Sequence, residues 1–334
     1  MKKPWTLLTA VFFFIPFQLS AKYNNIVFEG AGMKGIAYAG VVQELEKHCL
    51  LDDIQNVAGT SSGAITALLL TLGYTGREME SICKDMNFGK LNDGQGLFPA
   101  GIHRTFHHYG WYRHKRFLEW LHPIIKAKTG NAHITFSQLK SRGFKNLYIT
   151  GTCLNRQKAM VFCETQFPEM EVADAICVSM SIPLYFKAVF INEEGRVFKQ
   201  YKEGLDICID GGVVANFPMF IFDSTYTDAN GKRIILRNKN TLGIRIDRDE
   251  QIQYNGHRTG IAPYEIEGMN DYLGAFYNLI IESVNGRYDD EFDQSRIITI
   301  NACGVNPKVR QMKKNELDLL LVLGRQAVEE FVMN

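Results

Sequence analysis

The run Gly59-Thr60-Ser61-Ser62-Gly63 lies between Gln55-Asn56-Val57-Ala58 and the apolar stretch Ala64–Leu72. A GxSxG run at a strand-to-helix junction pins its serine on a sharp turn. The hydroxyl stands clear of the backbone, beside the positive end of the helix dipole. Gly59 and Gly63 allow neighbouring chain to approach closely on either side of the turn. Ser61 is therefore a candidate nucleophile, and the chain around it decides which kind.

The surrounding pattern is α/β. Asn24–Phe28 is a short β-rich run that ends in Glu29-Gly30-Ala31-Gly32-Met33-Lys34-Gly35. A helical repeat follows from Ile36 to about His48, with Ala37, Val41, Leu45 and Cys49 four residues apart. Ile54–Ala58 is the next strand, and the serine turn leads into a helix ending at Leu72. This strand-helix-strand-helix unit predicts a largely parallel sheet. Asn146–Thr152 and Ala159–Cys163 read as two strands joined by a turn at Asn155–Lys158. Val172–Ser181 reads as a helix that stops before Pro183. Leu205–Ile209 and Thr241–Ile246 read as strands, and Leu317–Phe331 as a helix. No internal repeat or linker divides the chain, so residues 22–334 are expected to form a single catalytic domain.

Composition narrows the class. A chain of 334 residues with 46% hydrophobic and 22% charged residues buries a full-sized core. A net charge of +1 and the lack of a long Lys/Arg block argue against nucleic-acid binding. Met1-Lys2-Lys3, the apolar Trp5–Leu19 and Ser20-Ala21 predict a secretory signal peptide over residues 1–21, with export to a periplasm or beyond. The rival is an uncleaved membrane tether, against which stand Pro16 and a run shorter than the ~20 residues of a span. Seven cysteines, Cys49, Cys83, Cys153, Cys163, Cys177, Cys208 and Cys303, show neither disulfide-framework nor CxxC spacing, and most read as small core hydrophobes.

The glycine loop has two readings. Gly30-x-Gly32-x-x-Gly35 between a strand and a helix outlines a dinucleotide-binding turn, the basis of an oxidoreductase alternative. That reading expects an acidic residue at the end of the second strand, whereas Asp52 and Asp53 precede it. The other reading is an oxyanion hole. A glycine turn entering a helix N-terminus points unpaired N–H donors at one place. Adjacent parallel strands would bring Gly30–Gly35 and Ser61 to one sheet edge, donors beside nucleophile.

Ser61 needs a base. In an α/β-hydrolase order the triad histidine would be His257, in the polar run Tyr254–Gly260. That fold also places several strands before its elbow, and here one precedes the elbow strand. Asp210 fits better, at the C-terminal end of a hydrophobic strand, where ligand chemistry gathers in open α/β sheets. Gly211-Gly212 after it permit close backbone approach, although Asp-Gly-Gly is also an ordinary turn. An aspartate near its usual pKa of about 4 is a weak base, so the dyad requires desolvation of Asp210.

Four blocks in order resemble the patatin-like phospholipases, a family of Ser–Asp lipid acyl hydrolases. They are Glu29–Gly35, Gly59–Gly63, Ala175–Phe186 with Ser181-Ile182-Pro183, and Asp210-Gly211-Gly212 with Asn216-Phe217-Pro218. Leu147–Asn155 is similar to the family's central strand and turn. The resemblance covers about residues 24–220 and fades over 221–334. It implies a three-layer α/β/α fold with a mainly parallel central sheet. Ser61 would be nucleophile and Asp210 proton acceptor, with the N–H groups around Gly30, Ala31, Gly32 and Met33 binding the oxyanion. The reaction would pass through an acyl-enzyme on a phospholipid or other acyl lipid at a membrane surface. It implies neither a catalytic histidine nor a metal or other cofactor. A catalytically inactive binding module of the same fold is the remaining alternative. Ala31 replaces a frequent glycine, harmless if its φ is negative. Lys34 reads as a solvated lysine.

Phe106–Leu121 mixes aromatic and basic residues. It reads as a helix packing Trp111, Phe117, Leu118 and Leu121 on the core, with a membrane-interface segment as the alternative. The histidines between 103 and 133 read as surface residues, because no carboxylate or cysteine accompanies them at metal-ligand spacing.

Overall fold

A computed structural model describes residues 23–86, 109–247, 251–252, 254, 260–284, 291–304 and 312–334. The segment 1–21 expected to be a signal peptide, the stretch 106–108 and His257 lie outside these residues. In chain order, β1 (Asn25–Phe28) leads through a 3-10 turn (Gly32–Ile36) into α1 (Ala37–Lys47), and β2 (Asn56–Gly59) leads into α2 (Ser62–Thr71). Then come α3 (Gly76–Asp85), β3 (Gly110–Tyr112), α4 (Lys115–Thr129), α5 (Phe136–Ser141), β4 (Asn146–Cys153), β5 (Lys158–Phe162) and α6 (Val172–Ser179). Four strands follow, β6 (Leu184–Phe186), β7 (Val189–Ile191), β8 (Val197–Phe198) and β9 (Asp206–Asp210), then the short α7 (Gly212–Ala215). The remainder is β10 (Ser224–Thr227), β11 (Arg233–Leu236), β12 (Thr241–Asp247), α8 (Met269–Val284), α9 (Glu291–Gln294), β13 (Ile297–Asn301) and α10 (Lys314–Met333).

One sheet organises these elements, in the order β13-β12-β1-β2-β4-β9-β7-β8, with β5 paired to β4. From β13 to β4 every pairing is parallel. Beyond β4 the sheet turns antiparallel, at β9, β7, β8 and β5. It is a mixed α/β architecture with a parallel half that carries the first two βα units.

Both faces of β1 are buried. Ile26 and Phe28 join the main core with Val41 and Leu45 of α1, Leu68 of α2, Val178 of α6, and Leu320, Leu321 and Val328 of α10. Val27 points to the opposite face, into a smaller cluster with Ala58, Phe217 and Met219. Alternation along a strand sends successive side chains to opposite layers, so an unbroken apolar run such as Ile26-Val27-Phe28 marks a strand covered on both sides. The last part of the chain is built into this core, since β12 pairs with β1 and α10 packs through its apolar stripe. Among the described residues no helix is long and apolar enough to cross a membrane. All seven cysteines are free thiols, with Cys153, Cys163, Cys177 and Cys208 buried.

Candidate active site

Ser61 occupies the turn between β2 and α2 with φ 53° and ψ −122°. This conformation is strained for a residue with a Cβ, and it throws the side chain outward from the junction. The turn is tight because β1 lies alongside. A Cβ on Gly63 would come within 2.5 Å of the Phe28 and Glu29 carbonyl oxygens. The Ser61 N–H donates to Ser179 Oγ at 2.8 Å, and Ser61 Oγ lies 3.7 Å from the Met180 sulfur. Its neighbour Thr60 is fixed by its hydroxyl, 2.5 Å from that of Thr150 and 2.8 Å from the Ala215 carbonyl it donates to.

Asp210 reaches this turn through the sheet register. Gly59 of β2 is opposite Ile149 of β4, and Gly151 of β4 is opposite Asp210 of β9. Two residues beyond Gly59, at the level of Gly151, stands Ser61. Asp210 ends its strand, as expected, but within the mainly parallel sheet β9 runs antiparallel to β4. The carboxylate is delivered from the reverse direction, because the chain returns from α6 through β7 and not through a right-handed crossover.

The Asp210 carboxyl is fully buried, and burial raises its pKa from 3.8 to about 7 against the opposing hydrogen bond from the Gly212 N–H and the Ser61 and Tyr277 hydroxyls. Its Oδ1 accepts from the Gly212 N–H at 2.6 Å. Its Oδ2 has no hydrogen bond of normal geometry among the described residues. The desolvation that a Ser–Asp pair requires is therefore present.

The glycine loop is held from two sides. The Gly30 N–H donates to the Asn216 carbonyl at 3.0 Å, and Asn216 Nδ2 donates back to the Gly30 carbonyl at 3.0 Å. The Ala31 N–H donates to Ser62 Oγ at 3.0 Å. Gly30 and Ala31 are thus engaged, which leaves the amides of Gly32 and Met33 at the start of the 3-10 turn, where no earlier turn supplies carbonyl partners. Both residues border the same cavity as Ser61. Gly32 has φ +55°, the left-handed region that favours glycine, while Ala31 has φ −132° and tolerates its methyl group. Lys34 is buried, not solvated, because the 3-10 turn faces inward. Glu29, also buried, has its pKa raised to about 7 by burial, with Arg245 opposing.

The cavity at Ser61 measures about 1090 Å³ including its open mouth, and Met33, Ile36, Ile65, Phe117, Met180, Ile182, Phe186 and Leu317 give it an apolar lining. Phe117 and Leu121 of α4 are buried in the core, and Leu118 and Trp120 pack against it.

Several residues escaped the sequence reading. Tyr277 of α8 was not marked at all, whereas Ser179, Met180 and Asn216 fall inside the motif blocks Ala175–Phe186 and Asn216-Phe217-Pro218 but carried no individual role there. No local signal singles out Tyr277, because its helix Met269–Val284 also carries Tyr272, Asn278 and Glu282. The surface reading of the histidines also needs correction at two places. His114 is buried, stacked on Phe186 with ring centroids 5.4 Å apart and its Nε2 3.0 Å from Ser181 Oγ. Burial, helped by Lys187, lowers its pKa to about 3, so it is neutral. His122 and His133 do have a carboxylate beside them, Glu171, which tertiary folding brings in from far along the chain.

A family model described as patatin-like phospholipase matches residues 26–223. Uncharacterized protein R571 of Acanthamoeba polyphaga mimivirus is 26% identical over 224 residues, covering 67% of this chain and 69% of that protein. Probable lipid hydrolase 463L of Invertebrate iridescent virus 6 is 26% identical over 227 residues, covering 65% of this chain and 70% of that protein. Among solved structures, VipD from Legionella pneumophila has the same kind of fold at 14% identity and a TM-score of 0.55, covering 93% of this chain and 67% of that one. Matched over more than half of its length, 26–223, the chain belongs to the patatin-like phospholipase family, and its class of activity is lipid hydrolysis.

Proposed function

We propose that the protein is a serine acyl hydrolase of membrane lipids, a phospholipase A or lysophospholipase, that works through a Ser61–Asp210 dyad. The observation that carries the reading is the meeting of three features: a strained serine turn, a buried carboxyl at its level in the sheet, and an apolar cavity that opens on the serine.

In the proposed reaction an acyl chain lies along Met33, Ile65, Phe117 and Met180. Asp210 takes the proton of Ser61 as Oγ attacks the ester carbonyl carbon. A base whose pKa is near the working pH is the effective kind, and burial brings Asp210 to about 7. The oxyanion receives hydrogen bonds from the Gly32 and Met33 amides, each such donor being worth roughly 10²–10³ in rate. Protonated Asp210 returns its proton to the departing alcohol oxygen as the C–O bond breaks. Water then attacks the acyl-Ser61 ester with Asp210 again as base, releasing the fatty acid. The segment 1–21 directs export in this reading; N-terminal sequencing of the mature protein checks the cleavage point.

The test uses the purified protein on phospholipid vesicles, with product analysis by mass spectrometry and labelling by a fluorophosphonate probe. Labelling and fatty-acid release are expected in the native protein and absent from Ser61→Ala. Labelling that persists in Ser61→Ala removes the nucleophile assignment, and undiminished hydrolysis by Asp210→Asn removes the dyad.

A further inference from the structure

Away from the active site, His122 on α4, His133 in the loop before α5, and Glu171 at the start of α6 offer ligand atoms that all lie within 4.8 Å of one another. His133 Nδ1 is 2.8 Å from Glu171 Oε2. The His122 ring packs against that of His133, with centroids 4.6 Å apart and planes inclined by 58°. A surface ion pair accounts for His133 and Glu171 but gives no role to His122, whose ring makes no hydrogen bond to any described residue. Two like, basic rings held in contact beside a carboxylate form the donor set of a borderline-soft divalent cation. Asp174, one helical turn past Glu171, lies close enough to interact electrostatically with both Glu171 and His133 and adds a second negative charge.

We propose that His122, His133 and Glu171 bind a Zn²⁺-type cation that clamps α4 to α6. The two helices are already joined at the other end. His114, just before α4, meets Ser181, just after α6, at 3.0 Å. A cation at the opposite end completes the fastening of α6, whose C-terminal end bears Ser179 and Met180 against Ser61. The role is structural and does not depend on the hydrolase reading.

The test is calorimetric titration of the chelator-treated full chain with ZnCl₂, paired with the visible absorption spectrum after CoCl₂ addition. One equivalent of Zn²⁺ is expected to bind with a dissociation constant of about micromolar or tighter, to raise the melting temperature, and to give Co²⁺ bands typical of tetrahedral coordination. His122→Ala, His133→Ala and Glu171→Gln are each expected to weaken binding by about tenfold or more. His133 has a side chain 61% exposed, so its replacement leaves the fold intact and keeps the test decisive. No stoichiometric binding by the native chain overturns the proposal, as does an unchanged affinity and Co²⁺ spectrum in His133→Ala.

Discussion

The backbone N–H of Ser61 donates to the Ser179 hydroxyl at 2.8 Å. Two residues further on, the Ser181 carbonyl accepts the Asp210 N–H at 2.9 Å. The end of one short helix therefore positions both members of the proposed dyad, and an error in its placement moves them together.

Removing the Ser179 hydroxyl leaves a buried N–H without its partner, at a cost of about 1–3 kcal/mol. Ser179→Ala is expected to lose that much stability in urea denaturation. Its kcat should fall more than its KM changes, because the serine turn and not the lipid groove has lost support. An unchanged kcat with normal stability would show the turn to be held by other contacts.

The backbone at Ser61 is strained for any L-residue, with φ at 53°. Glycine is free of the strain, though it loses more chain entropy on folding. Ser61→Gly is expected to be more stable than Ser61→Ala by about 1 kcal/mol, with neither variant taking up the fluorophosphonate probe. Equal denaturation midpoints for the two would mean that the turn carries no net strain.

Asp210 couples activity and stability to pH in opposite directions. Its folded pKa, about 7, lies above the ordinary 3.8, so its contribution to folding is complete below about 4 and is lost as pH rises through 7. The dyad needs the carboxylate, and hydrolysis is expected to rise over the same upper range. The interval from 3.8 to about 7 corresponds to ~4 kcal/mol at full ionisation. Asp210→Asn is therefore expected to be inactive and, relative to the native protein, increasingly stable from about pH 4 to pH 7, with a constant margin above. Melting curves from pH 4 to pH 9 check it; a gap that does not widen between pH 4 and pH 7 contradicts the buried-base assignment.

Tyr277 works on the same carboxyl. Its hydroxyl lowers the Asp210 pKa, behind burial and behind the Gly212 and Ser61 contributions. In Tyr277→Phe the carboxylate loses that support, and the acid limb of the pH–kcat/KM profile is expected to move to higher pH. Activity should fall at pH 6 and be retained at pH 9. A uniform drop at every pH would mark Tyr277 as a packing residue only.

The first two βα units were legible because each signal is local. Ile26-Val27-Phe28 followed by glycines, and Val57-Ala58 followed by the serine turn, mark their strand ends within a few residues, and parallel pairing of β1 with β2 follows from adjacency. The antiparallel return at β9 was not legible, since no residue near Asp210 states the direction of its neighbour. Lys34 and His114 were read as solvated because polar residues usually are; only the packing of the 3-10 turn and of α4 against α6 reveals that they are buried.

By itself, the sequence determined which groups are chemically available: a serine on a glycine-flanked turn, a glycine loop one strand earlier, and an aspartate ahead of two glycines. Tertiary structure decided what those groups are able to do. It removed water from Asp210, engaged the amides of Gly30 and Ala31, and drew Tyr277 and Ser179 to the site. It also gathered His122, His133 and Glu171 from three elements. The physical reason is that backbone geometry is set by near neighbours along the chain, whereas desolvation and electrostatic coupling depend on what lies nearby in space.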